Sequence, residues 1–158
     1  MENCWGPFSL DCFASDTNHR VLRFFSRLYS EKATGMNAFA HSWDEEHVWL
    51  CPPVSLVVPA VKHLLLSEAF GVLCCPLWVS SSFWHLLAPD ATHFAGFVKN
   101  FIVFSPKYFS GPSVRSRMFS GVPKWETVAL FIDSSDSHLK SSKFSPENCL
   151  KNGCVKCT

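Results

Sequence analysis

The sequence predicts an α/β domain with a mostly parallel sheet, an antiparallel edge pair and helices on both faces. Its β-prone runs alternate with apolar runs at helical spacing, which is typical of α/β domains. The run 70–77 is apolar throughout, as expected of a strand buried on both faces. Two further strands, 101–104 and 128–132, follow in succession. The 158 residues, 47% of them hydrophobic, suffice for one buried core.

The first third of the chain predicts short elements. Residues 8–15 are interpreted as a strand that gives way to a small-residue turn, with Asp11 near its end. Residues 21–28 carry apolar side chains with arginines between them, which suits either a short amphipathic helix or an irregular strand. Residues 37–40 form a second apolar piece, and Trp43 is expected to anchor the turn after it.

The stretch 48–58 contains the clearest signal in the chain for the end of a strand and the start of a helix. A β-prone run ends in Pro52-Pro53, and neither proline offers a backbone N–H to a sheet. Apolar residues at helical spacing follow over 56–65, with Pro59 in the first turn, where a missing N–H costs little. A strand that feeds a helix in this way places Cys51 and Val54 at the carboxyl edge of a sheet, where open α/β folds bind ligands.

Later elements follow the same alternation. Ser80-Ser81-Ser82 is predicted to cap a helix that begins near Phe83. We expect one domain over 8–133 and a poorly ordered polar tail over 134–158.

Positive charge is concentrated in one segment, although the formal net charge is only +1. No Asp or Glu occurs from Ala91 to Trp125, and the segment contains Lys99, Lys107, Arg115, Arg117 and Lys124. A segment of one sign predicts a positive face for the phosphates of nucleic acid. Scattered solvated side chains are an equally good interpretation.

Cysteine usage and the first residues predict an intracellular protein, in the nucleus or the cytoplasm. Four of the eight cysteines lie inside apolar, strand-like runs, where a free thiol behaves as a small hydrophobe. The chain begins without a signal-peptide pattern, and the apolar run 48–61 is interrupted by prolines and too short to span a bilayer. No membrane association is expected.

Metal and hydrolase chemistry have little support in the sequence. Cys149, Cys154 and Cys157 lack a second close ligand pair, so no metal is expected. No Gly-x-Ser-x-Gly elbow, P-loop or His-Glu-x-x-His motif is present. Cys51 has no marked histidine partner and is interpreted as an inert thiol rather than a nucleophile.

Two motifs in order resemble DNA adenine-N6 methyltransferases. These are Asp11-Cys12-Phe13-Ala14-Ser15, beside the family's Asp-x-Phe-Ala-Gly, and Cys51-Pro52-Pro53-Val54, beside its Asn/Asp-Pro-Pro-Tyr/Phe. The order is closest to the compact phage-type Dam enzymes, and is similar to the methyltransferase-like segment of DIRS-type tyrosine-recombinase retrotransposons. Further matching positions are Asn18, Arg23-Phe24, Asn37-Ala38-Phe39, Ser42-Trp43 and Leu56. The resemblance covers about residues 10–133.

The resemblance implies a Rossmann-like S-adenosylmethionine methyltransferase-type fold, with S-adenosylmethionine as cofactor and DNA as partner. Asp11, Phe13 and Asn37 match cofactor-binding positions, although Asn37 stands where relatives have Asp. Cys51, Pro52, Pro53 and Val54 match the catalytic motif. In the family the first of these residues and the first proline carbonyl accept hydrogen bonds from the adenine amine, and the last residue stacks on the flipped base.

The catalytic motif is degraded in this chain. Cys51 is a weak acceptor and Val54 cannot stack. The sequence therefore predicts a DNA N6-adenine methyltransferase-like domain of retroelement origin that is catalytically degenerate. The alternatives are a non-catalytic nucleic-acid-binding module that uses the basic segment, or a retroelement fragment without selected function.

Overall fold

The computed structural model describes residues 5–90, 92–106 and 124–134. These residues form one sheet in the order β3-β2-β1-β4-β5-β7-β6. The strands are β1 (Leu10–Ala14), β2 (Phe24–Ser26), β3 (Gly35–Met36), β4 (His47–Leu50), β5 (Phe70–Pro76), β6 (Val98–Phe104) and β7 (Thr127–Asp133). The helices are α1 (Val57–Leu66) and α2 (Trp84–Leu87), with 3-10 turns at Ala38–Ala40 and Val54–Leu56. Of the expected tail over 134–158, residues 135–158 lie outside the described residues.

The predicted mostly parallel sheet is confirmed. Strands β3, β2, β1, β4 and β5 all run in one direction. Strand β7 pairs antiparallel with both β5 and β6, so that β6 again runs in the direction of β5. Six strands therefore end at one edge of the sheet, called the carboxyl edge below, and β7 begins there.

Residues 21–28, for which the sequence allows either a short helix or an irregular strand, contain a strand. Only Phe24–Ser26 are extended, and they pair with β1 on one side and β3 on the other. The backbone N–H of Asp11 donates to the carbonyl of Arg23 at 3.0 Å, which ties this piece to β1.

Both helices pack on one face of the sheet. Val57, Val61 and Leu64 of α1 and Leu87 of α2 belong to a main core cluster together with alternate residues of the strands. Trp43 is fully buried there, and its indole N–H donates to the carbonyl of Ala38 at 3.0 Å. Its predicted role as a turn anchor is confirmed.

The second face of the sheet carries a smaller cluster of Phe8, Trp49, Val72, Cys74 and Ala129. Within 5–90, 92–106 and 124–134, no residue of α1 or α2 belongs to this second-face cluster. The physical reason is that the connections 15–23 and 27–34 contain turns and bends instead of crossover helices.

Strands β4 and β5 approach closely at Gly71. A Cβ built there would lie 2.0 Å from the carbonyl oxygen of Val48. The glycine thus permits the register that sets Leu50 beside Leu73 and Cys51 beside Cys74. None of the helices in the described part of the chain is long and apolar enough to cross a membrane.

Candidate functional site

Strands β1 and β4 are neighbours at the centre of the sheet, and the chain leaves them in opposite directions. After β1 it continues to β2 and β3 on one side, whereas after β4 it continues to β5 on the other. This is a topological switch point, and in open α/β sheets ligands bind in the crevice at the carboxyl ends of such strands. The register Asp11↔Trp49 brings the Asp11 motif and the Cys51 motif side by side at this point.

Asp11 faces its own loop rather than the crevice. Only 2% of the residue is exposed. Its carboxylate accepts hydrogen bonds from the backbone N–H of Arg20 at 2.9 Å and of Phe13 at 3.3 Å. Burial raises the pKa of this carboxyl, against the lowering effect of the two N–H groups. The side chain therefore organises the β1–β2 connection.

The turn after β1 is closed by side chains instead of glycines. The Asn18 side-chain oxygen accepts from the Ser15 N–H at 2.6 Å and from the Ser15 hydroxyl at 3.0 Å. The backbone N–H of Asn18 donates to the Ser15 carbonyl at 3.2 Å. In a glycine-rich loop, backbone N–H groups at this place bind the nucleotide. Here the Ser15 N–H is already bonded to the Asn18 side chain.

The two prolines follow the end of β4 after one intervening residue, Cys51. Pro53 has an extended backbone (φ −51°, ψ 148°), and its carbonyl accepts from the Leu56 N–H at 2.8 Å. The Pro52 carbonyl has no hydrogen-bond partner among residues 5–90, 92–106 and 124–134. Pro52 itself is buried. Val54, 37% exposed, opens the 3-10 turn that leads into α1.

The thiol of Cys51 is turned across the sheet. Its Sγ donates to the Cys74 carbonyl at 3.7 Å, and its side chain packs against the second-face cluster. A side-chain hydrogen bond with the Cys74 thiol, together with burial, raises the pKa of the Cys51 thiol well above its usual value. A protonated, half-buried thiol with a raised pKa is a poor nucleophile, in line with the inert interpretation.

The other two predicted cofactor residues lie apart. The ring of Phe13 is half-buried and meets Phe39 edge-on at 5.6 Å and Trp43 at 6.4 Å, within the main core cluster. Asn37 is exposed directly after β3 with φ 56°, and its backbone N–H donates to Ser26. Strand β3 is two strands from β1, or roughly 10 Å at ordinary strand spacing.

The basic residues predicted to form one face are divided by the fold. Lys99 lies at the start of β6, and its ammonium donates to the Gly96 carbonyl at 2.9 Å. Lys124 is exposed just before β7, at the opposite edge of the sheet. Lys107, Arg115 and Arg117 lie outside the described residues. The connection that carries them starts and ends at the carboxyl edge, because Phe104 pairs with Thr127 there.

Sequence reasoning missed several groups at the carboxyl edge. Trp78 and Trp125 are half-buried there, with ring centroids 5.1 Å apart at 66°. The buried hydroxyl of Thr127 has no hydrogen-bond partner within the described ranges. Trp78 follows the end of a strand by two residues, which is the only sequence signal for this placement. Trp49 is buried, and the guanidinium of Arg20 lies 5.3 Å from the centre of its ring.

Within 5–90, 92–106 and 124–134, no group of three or more His, Cys, Asp or Glu side chains is arranged to hold a metal ion. Cys149, Cys154 and Cys157 lie outside these ranges. In comparisons with known proteins, no family model, no curated protein and no solved structure matches the chain.

Proposed function

We propose that this chain is a DNA N6-adenine methyltransferase-like domain of retroelement origin whose catalytic site has degenerated. The observation that carries the proposal is the meeting of the two motifs at the switch point. Asp11 and Trp49 are register partners on β1 and β4. Cys51-Pro52-Pro53-Val54 follows β4 at the edge where such sheets bind ligands.

The strand order supports the Rossmann-like part of the proposal. Doubly wound nucleotide-binding sheets have the order 3-2-1-4-5-6. The order here differs only in that β7 is inserted, antiparallel, between β5 and β6. The methyltransferase resemblance implies a layout of this kind, a mostly parallel sheet with an antiparallel edge pair.

The side chains at the catalytic positions support loss of turnover. A strong acceptor at position 51 would polarise the adenine amine, but the Cys51 thiol donates to Cys74 instead. The stacking aromatic is absent because Val54 occupies its position. Losing one preorganised group costs about 10²–10³ in rate at comparable sites. Only the Pro52 carbonyl, a backbone group, is retained.

The residues that should hold S-adenosylmethionine fit it poorly. In doubly wound sheets, a carboxylate beyond the first strand binds the ribose hydroxyls of the ligand. Here β2 is followed directly by a basic residue, Arg27. The Asp11 carboxylate is occupied by two backbone N–H groups, and Asn18 closes the turn after β1. We therefore expect weak cofactor binding at most, and no catalytic step is assigned to this chain.

The proposal is tested by methyl transfer from isotopically labelled S-adenosylmethionine to adenine in DNA. The wild-type protein is expected to give no label above a protein-free control, even with millimolar cofactor. The matched variant Cys51→Asn/Val54→Tyr restores an amide acceptor and an aromatic ring. We expect it to give detectable N6-methyladenine under the same conditions.

The outcomes separate the two parts of the proposal. Robust labelling by the wild type would show that the site is intact. Absence of labelling in both proteins, with calorimetry showing that the double variant binds the cofactor at the concentration used, would show that positions 51 and 54 are not a decayed catalytic pair. Label in the double variant alone supports the proposal.

A second candidate function is a non-catalytic nucleic-acid-binding module. It is favoured by the basic connection between β6 and β7, since both of its ends lie at the carboxyl edge. This connection contains Lys107, Arg115, Arg117 and Lys124, with no acidic residue before Glu126. A cationic segment tethered at the ligand-binding edge of a sheet suits a phosphate backbone.

This second function predicts salt-dependent binding of a fluorescent single-stranded oligonucleotide, measured by anisotropy. With four cations engaged, log K should fall against log salt with a slope of about −3. The variant Arg115→Gln/Arg117→Gln should reduce the slope by about 1.4. Lys62→Gln, an exposed position on α1, is the matched control and should leave it unchanged. Absence of binding at about 50 mM salt, or a flat salt dependence, would exclude this function.

Both candidates imply a protein of the nucleus or the cytoplasm. Cys12, Cys51, Cys74 and Cys75 are free thiols, which supports a reducing compartment.

A further inference from the structure

We propose that Cys51 and Cys74 form a reversible disulfide between strands β4 and β5 when the protein meets a peroxide oxidant. The pair is a modification site on the second face of the sheet, near its carboxyl edge. The proposal depends on neither candidate function, because it needs only the packing of two described side chains.

The sheet places the two thiols side by side. Strands β4 and β5 are parallel, and the register pairs Leu50 with Leu73, so Cys51 and Cys74 are the next aligned residues. Neighbouring strands lie about 4.8 Å apart, which is within the Cα separation of about 4.4–6.8 Å that a disulfide spans. Cys74 belongs to the second-face cluster and Cys51 packs against it, so both side chains lie on one side of the sheet. The two thiols are hydrogen-bonded to each other.

The other described cysteines lie on the opposite face. Cys75 adjoins Cys74 in sequence, but its side chain belongs to the main core cluster. Cys12 on β1 belongs to that cluster as well. A structural zinc site takes four ligands, and the described part of the chain arranges no three His, Cys, Asp or Glu side chains for a metal ion. The chemistry open to the pair is therefore that of two thiols.

Oxidation by hydrogen peroxide proceeds in two balanced steps. The Cys51 thiolate attacks one peroxide oxygen, the O–O bond breaks, and hydroxide leaves and takes up the thiol proton as water, which gives a sulfenic acid. The Cys74 sulfur then attacks the Cys51 sulfur, the S–O bond breaks, and a second water leaves with the Cys74 proton. The pair loses two electrons, and the peroxide is reduced to two molecules of water.

The two thiols have different roles in this sequence. Cys51 meets the oxidant because it is half-buried, whereas Cys74 is only 3% exposed. The raised pKa of the Cys51 thiol makes the first step slow at neutral pH, and Asp11 and Cys75 nearby also oppose its ionisation. The second step is fast, because aligned groups react at effective concentrations of about 10⁵ M or more. Cys74 therefore traps the sulfenic acid before it is oxidised further.

The strand geometry predicts a disulfide that is easily reduced. A relaxed disulfide holds its Cβ atoms about 3.8 Å apart, which is closer than the strand spacing of about 4.8 Å. Strain of this kind makes the bond more reducible, as in labile and regulatory disulfides. The pair is therefore expected to remain as thiols in a reducing compartment and to change state only on oxidation.

The test is peroxide treatment of the native full chain, followed by blocking of free thiols in denaturant, tryptic digestion and mass spectrometry. Cys51 and Cys74 lie on different tryptic peptides, 33–62 and 63–99, so the disulfide joins two peptides. We expect the linked peptides from the monomer on a non-reducing gel, with Cys75 blocked. Their yield should be higher at alkaline than at neutral pH, and dithiothreitol should separate them.

Cys74→Ala and Cys75→Ala are matched variants, since the two positions adjoin on β5 and both are buried. Cys74→Ala should lower the yield of linked peptides more than about tenfold, whereas Cys75→Ala should leave it unchanged. Far-UV circular dichroism identifies a variant that fails to fold. In that case fragment ions of the wild-type linked peptides decide between positions 74 and 75.

Three outcomes would overturn the proposal. The first is a disulfide from Cys51 to Cys75, and the second is a yield of linked peptides that survives in folded Cys74→Ala. The third is wild-type Cys51 recovered as a blocked thiol or a sulfinic acid after excess peroxide at alkaline pH. None of these outcomes bears on methyl transfer or on salt-dependent binding of nucleic acid.

Discussion

Substitution of Gly71 by alanine should separate the two strands that form the Pro52-Pro53 side of the site. The added methyl carbon would lie 2.0 Å from the Val48 carbonyl oxygen, 2.7 Å from its Cγ2 and 2.9 Å from its carbonyl carbon. Two of these atoms are backbone, so the clash cannot be relieved by a rotamer change. It can be relieved only by moving β4 away from β5, which disturbs the register from His47 to Leu50.

The expected cost follows from the kind of atom that must move. Overpacking a core costs about 1–3 kcal/mol and occasionally more, and a clash with backbone belongs at the upper end. We therefore expect Gly71→Ala to lower the free energy of unfolding by about 3 kcal/mol, or the melting temperature by about 6–12 °C. The assay is urea unfolding followed by circular dichroism.

Gly35→Ala is the matched control because its nearest neighbour is a side-chain end. The added Cβ would meet the ring of His41, at 2.7 Å from Nε2, and this ring can move. We expect a change of at most about 1 kcal/mol, since the lower entropy of the unfolded chain offsets part of the cost. The reasoning is refuted if Gly71→Ala unfolds at the same urea concentration as the wild type, or if Gly35→Ala is the more damaging of the two.

Three further predictions concern buried groups. Burial lowers the pKa of His47, so the unfolded state binds more protons and stability should fall as the pH drops below about 6.5. In His47→Gln the urea midpoint should depend less on pH between pH 5 and 8 than in the wild type, and an unchanged pH dependence would count against this. Burial raises the pKa of the Cys12 and Cys75 thiols, so iodoacetamide at pH 8 should leave both unmodified in the native protein and alkylate them in urea. Peptide mass mapping that finds them alkylated in native protein would contradict the packing. Trp43→Phe removes the indole N–H that donates to Ala38 and leaves a cavity, so we expect a loss of about 2 kcal/mol in unfolding free energy; calorimetry that shows no loss would contradict the anchoring role.

The elements that could be predicted from sequence are those with strong local signals. Strand β5 is buried at every residue after Phe70, which its unbroken apolar run predicts. Helix α1 buries Val57, Ala60, Val61 and Leu64, as helical spacing predicts. Strand β3 consists of only Gly35–Met36 and depends on pairing with β2, a contact that no local pattern encodes.

The same limit applies to the candidate site. The double proline predicts the end of β4, but the switch point depends on which strands are neighbours, which follows from nonlocal packing. Lys99 and Lys124 belong to one basic segment in sequence, yet the hairpin of β6 and β7 carries them to opposite edges. Trp78 resembles any core tryptophan in sequence, and only its place after β5 distinguishes it.

The central claim is that the carboxyl edge, where β1, β4 and β5 end, is the functional edge of this sheet. Hydrogen–deuterium exchange of the full chain, with and without an adenine-containing single strand, tests it most directly. We predict slower exchange in peptides that cover 51–56, 77–82 and 124–127, and no change in peptides that cover 66–70 at the opposite edge. Protection confined to 66–70, or exchange unchanged throughout at saturating oligonucleotide, would contradict the claim.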